Sequence, residues 1–116
     1  MTRPILLVDD DVPSREALAS LLRLKGHTVV TASNGREALD RLHETEPCVI
    51  LLDYVMPVMD GREFREAQKA DARWTHIPVV LMTAHDVRDF DAVMILRKPV
   101  TYEMLSPVLR ACEGRS

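Results

Sequence analysis

Three runs of the chain are apolar without interruption: "ILLV" (5–8), "CVILLD" (48–53) and "PVVLMT" (78–83). A strand with one face in water alternates apolar and polar residues, whereas a strand covered on both faces need not. These runs therefore demand cover on two sides. The intervening stretches can supply it. "PSREALASLLRLKG" (13–26) places Ala17, Leu18, Leu21 and Leu22 on one helical face and stops at Gly26. "REALDRLHETE" (36–46), entered through Asn34-Gly35, aligns Ala38, Leu39 and Leu42, and "GREFREAQKA" (61–70) reads as a third, more polar helix. "TVVTA" (28–32) and "AVMIL" (92–96) are two further strands, and "TYEMLSPVLRAC" (101–112) is the last helix. Alternation of this kind predicts a single α/β domain over residues 1–116, a parallel sheet wound by helices on both faces.

Ligands of such sheets sit outside the carboxyl ends of the strands, so the residues that end the strands carry the functional question. They are Asp9 and Asp10, Ala32 and Ser33, Asp53, Thr83, and Lys98 just past the last strand. Among them, three acids, the Thr83 hydroxyl and one lysine form a coherent chemical set. Converging carboxylates raise one another's pKa unless a positive charge offsets them. An oxygen-only ligand set suits a hard cation, and Mg²⁺ is commonly held by one or two carboxylates with waters and a phosphate. With that charge and Lys98 neutralising the pocket, one carboxylate can attack phosphorus and form an aspartyl phosphate. Asp11, beside the helix opened by Pro13, reads as a cap of that helix rather than part of the pocket.

Four motifs in order, "LLVDDD" (6–11), "VILLDYVMPVMDG" (49–61), "PVVLMTA" (78–84) and "RKPV" (97–100), give the chain a resemblance to the receiver domains of two-component response regulators. The resemblance implies a flavodoxin-like fold with strand order 2-1-3-4-5. It makes Asp53 the phosphoacceptor, Asp9 and Asp10 the acidic pair for Mg²⁺, and the Val55 backbone carbonyl a further metal ligand. Thr83 becomes the switch hydroxyl and Lys98 the phosphate-pairing lysine, joined to Pro99 by a cis peptide bond. The implied partners are a histidine kinase or histidine phosphotransfer protein as donor, and a downstream protein that the sequence does not name. A receiver is a signalling module that catalyses its own phosphorylation and dephosphorylation, so no turnover of an external substrate is expected.

The chain departs from that pattern in three places. "AHDVRDFDAVMILR" (84–97) is about two helical turns short of the usual length, so the fourth helix is expected to be shortened or missing. Ile95 stands where receivers often carry an aromatic switch residue. Pro107 falls inside the last helix, which is expected to bend there or to begin at Ser106. His85, two residues past Thr83, and Val55 are expected at the pocket rim, where they would affect access of water to an aspartyl phosphate. His27, His43 and His76 show no metal-ligand spacing, and Trp74 reads as loop packing.

Other functions are weighed against this one. A scaffold that keeps the receiver fold without phosphorylation is favoured only by the short 84–97 stretch. An aspartate-nucleophile phosphatase needs a second acid where Val55 stands, and a nucleotide-binding domain needs a G-x-G-x-x-G that is absent after the first strand. The net charge of −3, with basic residues spread along the chain, argues weakly against a nucleic-acid surface, and the stretch ending in "CEGRS" contains no effector domain, so no direct DNA binding is expected from these residues. Pro4 and Asp9 break up the first ten residues, so neither signal peptide nor membrane span is expected and the location implied is cytoplasmic. Cys48 and Cys112 sit in apolar patterns and read as reduced core thiols rather than a disulfide or metal site.

Overall fold

A computed structural model describes residues 3–112. Five strands, β1 (Ile5–Val8), β2 (Val29–Ala32), β3 (Val49–Asp53), β4 (Val79–Thr83) and β5 (Met94–Arg97), form one parallel sheet in the order β2-β1-β3-β4-β5. Helices α1 (Val12–Leu24), α2 (Gly35–Glu44), α3 (Gly61–Lys69) and α4 (Tyr102–Leu109) cover it. This is the doubly wound, flavodoxin-like architecture that the unbroken apolar runs require.

Period-two side-chain alternation divides each inner strand between two cores. Ile5, Leu7, Val49, Leu51, Val80 and Met82 pack with Ala19 and Leu22 of α1 and Leu105 and Leu109 of α4. Leu6, Val8, Ile50, Leu52 and Leu81 turn the other way, onto Ala38 and Leu42 of α2 and Phe64 of α3. Both faces are apolar because both faces are buried. The central strands are accordingly buried from end to end, whereas edge strand β5 is only partly covered.

Local signals set the helix starts. Asp11 is the N-cap of α1, its carboxylate accepting from the Ser14 N–H, with Pro13 in the first turn. Asn34 caps α2, and Asp60 with Glu63 forms a reciprocal capping box on α3. Gln68 is fully buried near the end of α3, where its amide N–H groups donate to the Trp74 and Ile77 carbonyls and its Oε1 accepts from Arg65. It thereby closes the turn that leads into β4. Trp74 packs in that turn, edge-on to His43 at a ring separation of 4.8 Å.

Three expectations are settled by the fold. Residues 84–93 contain no helix, so the fourth helix of the family is missing rather than shortened. The last helix does not begin at Ser106: it starts at Tyr102, capped by Thr101, and passes through Pro107 before a 3₁₀ turn at Arg110–Cys112. The proline removes the N–H that would reach the Glu103 carbonyl, and both residues are exposed, so water can satisfy the freed group. The cysteine expectation is overturned. Cys48 and Cys112 are joined in a disulfide, with Cα atoms 5.4 Å apart and a sequence separation of 64. Each read separately as a core residue because sequence spacing cannot show that the start of β3 meets the end of the last helix. The pair pins the 3₁₀ turn to the sheet.

Gln68→Leu is expected to leave the buried Ile77 carbonyl without its amide donor, while the Trp74 carbonyl keeps the Ile77 N–H, and to lower stability by roughly 1–3 kcal/mol. Urea unfolding of wild type and variant, read at equal slope, checks this. Loss below about 0.5 kcal/mol would mean that water replaces the amide.

Candidate functional site

The chain winds from β1 outward to β2 and then returns to β3 on the other side of β1, so the carboxyl ends of β1 and β3 flank the point where winding reverses. Asp9 follows β1 directly and Asp53 ends β3. Asp9, Asp10 and Asp53 each bring a carboxylate oxygen within 4.8 Å of the others. Asp9 and Asp53 are buried, while Asp10 faces water.

Lys98, carried in by the turn after β5, pairs with both buried acids. Its Nζ lies 3.3 Å from Asp9 Oδ2 and 3.4 Å from Asp53 Oδ2. The backbone N–H of Lys98 donates to the Thr83 carbonyl, which ties the turn to β4, and the Lys98–Pro99 peptide is cis. The second oxygen of Asp9 accepts the Asp11 N–H, and Arg15 Nη1 donates to the Asp9 carbonyl. The second oxygen of Asp53 accepts the Tyr54 N–H at 2.9 Å. Thr83 is fully buried at the end of β4, and its hydroxyl oxygen accepts the His85 N–H at 2.9 Å.

Burial dominates the acidity of Asp53: removal from water pushes its carboxyl up to about 6, reinforced by the Asp9 charge and only partly offset by Lys98. Burial would lower the Lys98 ammonium, yet the facing charges of Asp53 and Asp9 outweigh it and hold the pKa above the usual lysine value. The acid cluster is thus undercompensated by a single lysine. Three carboxylates with no sulfur or imidazole among them form a donor set fit for a hard divalent cation such as Mg²⁺.

The loop after β3 is shaped for close approach. A Cβ on Gly61 would lie 2.7 Å from the Asp53 carbonyl oxygen, so only glycine lets α3 begin there. Val58, an exposed β-branched residue, adopts φ +69° in the same loop. Val55 is half exposed and His85 is exposed, two residues past Asp53 and Thr83 respectively. Beside the acids, Ser14, Leu18, Leu21, Met82, Pro99 and Val100 line a largely apolar cleft of about 490 Å³ between α1 and the Lys98 turn.

This constellation matches a known family. The model of the response regulator receiver domain matches residues 5–109. The chain belongs to the response regulator receiver domain family. Over 91 residues this receiver domain is 42% identical to a transcriptional regulatory protein, a CpxR homolog of Haemophilus influenzae, covering 78% of the chain but 37% of that relative. The chemotaxis protein CheY4 of Vibrio cholerae superposes with a TM-score of 0.86 at 29% identity, over 97% of this chain and 99% of that one. The response regulator TrrA of Thermotoga maritima, solved in complex with Mg²⁺ and BeF, does so with a TM-score of 0.81 at 26% identity, over 93% and 96%.

The structure brings together Asp9, Asp10, Asp53 and Lys98 and places Thr83 at the end of the neighbouring strand. Asp11 stays outside the acid cluster as a cap, although its N–H serves Asp9. Sequence reasoning missed Arg15, which steadies the Asp9 backbone, and the contact that makes Gly61 obligatory. Arg15 gives no sequence signal, since nothing local to α1 shows that its side chain turns back onto the Asp9 carbonyl. Gly61 read only as turn chemistry.

The raised Asp53 pKa carries a sign. The folded state binds this proton more tightly than the unfolded state, so the contribution of Asp53 to stability falls as pH rises from about 4 through about 6. Without divalent metal, Asp53→Asn is expected to stabilise the domain at pH 7 by roughly 1–2 kcal/mol after allowance for solvent screening, and to have little effect near pH 4. Chemical denaturation at the two pH values tests it. Equal stability at pH 7 would show that the carboxylate is not strained by burial.

Proposed function

We propose that this receiver domain accepts a phosphoryl group on Asp53 from a phosphohistidine of a histidine kinase or phosphotransfer protein. The reading is carried by one observation: a buried carboxylate at the switch point shares a lysine with a second buried acid, within 4.8 Å of a third. An oxygen of Asp53 attacks phosphorus, the P–N bond of the donor breaks, and its electron pair leaves with the imidazole. Lys98 sits where an ammonium can pair with a transferred phosphoryl oxygen, and the Thr83 hydroxyl ends the adjacent strand. Asp9, Asp10, Asp53 and the Val55 carbonyl would hold Mg²⁺, which supplies charge neutralisation for the phosphoryl oxygens. The complex of TrrA with Mg²⁺ and BeF supports that part of the reading.

The module acts in this reading as a switch rather than as a turnover enzyme, in the cytoplasm, and hands its state to another protein. Among the described residues no helix is long and apolar enough to cross a membrane. The matched relative is a transcriptional regulatory protein of which this chain spans little more than a third, so the downstream output belongs to the proposal.

Incubation with acetyl phosphate and Mg²⁺, followed by intact-mass measurement, is expected to give one phosphoryl adduct that EDTA prevents and Asp53→Asn abolishes. No adduct in wild type would favour a scaffold that keeps the fold without the chemistry, to which the missing helix lends support, and its persistence in the variant would place the phosphoryl group on a residue other than Asp53. His85→Ala and Val55→Asn are expected to change the decay rate of the adduct severalfold, since both are exposed and follow Thr83 and Asp53 by two residues. Unchanged decay in both variants removes them from control of water access.

A further inference from the structure

Residues 84–93 replace a helix, yet they are held in place. Val87, Phe90 and Ala92 lie against the core beneath α2 and α3. Arg62, Arg65 and Lys69, three and four residues apart on one face of α3, reach across to this segment. Arg65 Nε donates to the Asp91 carbonyl at 2.8 Å and Lys69 Nζ to the Asp91 carboxylate at 2.7 Å. Arg62 Nη2 donates to the Asp89 carbonyl at 2.9 Å.

Arg62 alone of the three also touches the acceptor loop. Its Nε donates to the Tyr54 hydroxyl at 3.3 Å, and its guanidinium lies 5.8 Å from the Tyr54 ring and 5.7 Å from the Phe90 ring. Those two rings meet edge to face at 6.0 Å. The Tyr54 N–H in turn donates to Asp53 Oδ1. One guanidinium therefore spans the residue next to the acceptor and the far half of the segment. The near half is tied to Thr83 by the His85 N–H. Ile95, partly buried in the same core, has neither ring nor hydroxyl to carry a signal.

We propose that Arg62 is a positioning residue that couples the Asp53 end of β3 to residues 88–92, so that loading of Asp53 is passed to this segment through Tyr54. The proposal rests on the phosphoacceptor reading. A planar guanidinium suits the task because it stacks on rings and donates along fixed directions at once, which an ammonium cannot. The segment has no helical hydrogen bonds of its own, so its position depends on these side-chain contacts.

¹H–¹⁵N NMR with and without Mg²⁺ and beryllofluoride tests the coupling, with adduct formation followed separately by ¹⁹F NMR. In wild type, amide shifts are expected to change at both 84–86 and 88–92 on adduct formation. In Arg62→Gln, resting amide order parameters at 88–92 are expected to fall from the rigid-backbone range to below about 0.6. The adduct should still form and the response at 84–86 persist, while the response at 88–92 is lost. Arg62→Lys should behave as Arg62→Gln. Lys69→Gln, which removes one of the two cations that hold Asp91 without touching Tyr54, should loosen the segment yet keep its response. An intact 88–92 response in Arg62→Gln, or its equal loss in Lys69→Gln, overturns the coupling. An adduct in wild type with no response at 88–92 overturns the coupling alone, and failure to form the adduct overturns the phosphoacceptor reading with it.

Discussion

Asp9 and Asp53 can be buried side by side because the Lys98 ammonium lies 3.3 Å from one and 3.4 Å from the other. Two uncompensated buried carboxylates would each carry a desolvation cost far above anything the loops around them can offset. One lysine removes most of that cost but not all, and the carboxyl of Asp53 remains raised. The pocket is left with a demand for positive charge, which is the property a phosphoryl-accepting, cation-binding site needs. Much of the surrounding backbone serves this arrangement: the Thr83 carbonyl fixes the lysine turn, Arg15 and the Asp11 N–H hold Asp9, and Gly61 lets α3 close in behind Asp53.

The sheet supplies the rigidity. Three of the contributing residues, Asp9, Asp53 and Thr83, stand at the ends of strands that are buried from end to end or directly beyond them, so their spacing is set by the hydrogen-bonded ladder rather than by mobile loops. Opposite the pocket's rigid floor, the stretch between β4 and β5 has given up its helix. It keeps contact with the rest of the domain through three cations of α3 and a few apolar side chains. The domain thus joins a receiver's acid pocket to a helix-free flank between β4 and β5.

The fold and the acid cluster were legible because both rest on local patterns. Unbroken apolar strands require two covered faces, and a doubly wound sheet gathers the strand ends, so Asp9, Asp10, Asp53 and Lys98 could be named together before any distance was known. The missing helix was legible from length alone. The disulfide was not, since Cys48 and Cys112 look like any two core cysteines until the last helix is laid across the start of β3. Pro107 suggested a late helix start, but the Thr101 cap and the burial of Leu105 hold the first turn in place despite it.

By itself the sequence determined the strand and helix periodicities, the capping residues, and which chemical groups end the strands, because each depends on near neighbours in the chain. Only the tertiary structure decided how far Asp53 is buried, that Lys98 serves both acids, that two cysteines meet, and that Arg62 bridges Tyr54 and Phe90. Those properties arise from contacts between residues many positions apart, whose distances are set by how the helices pack on the sheet and not by any local preference of the chain.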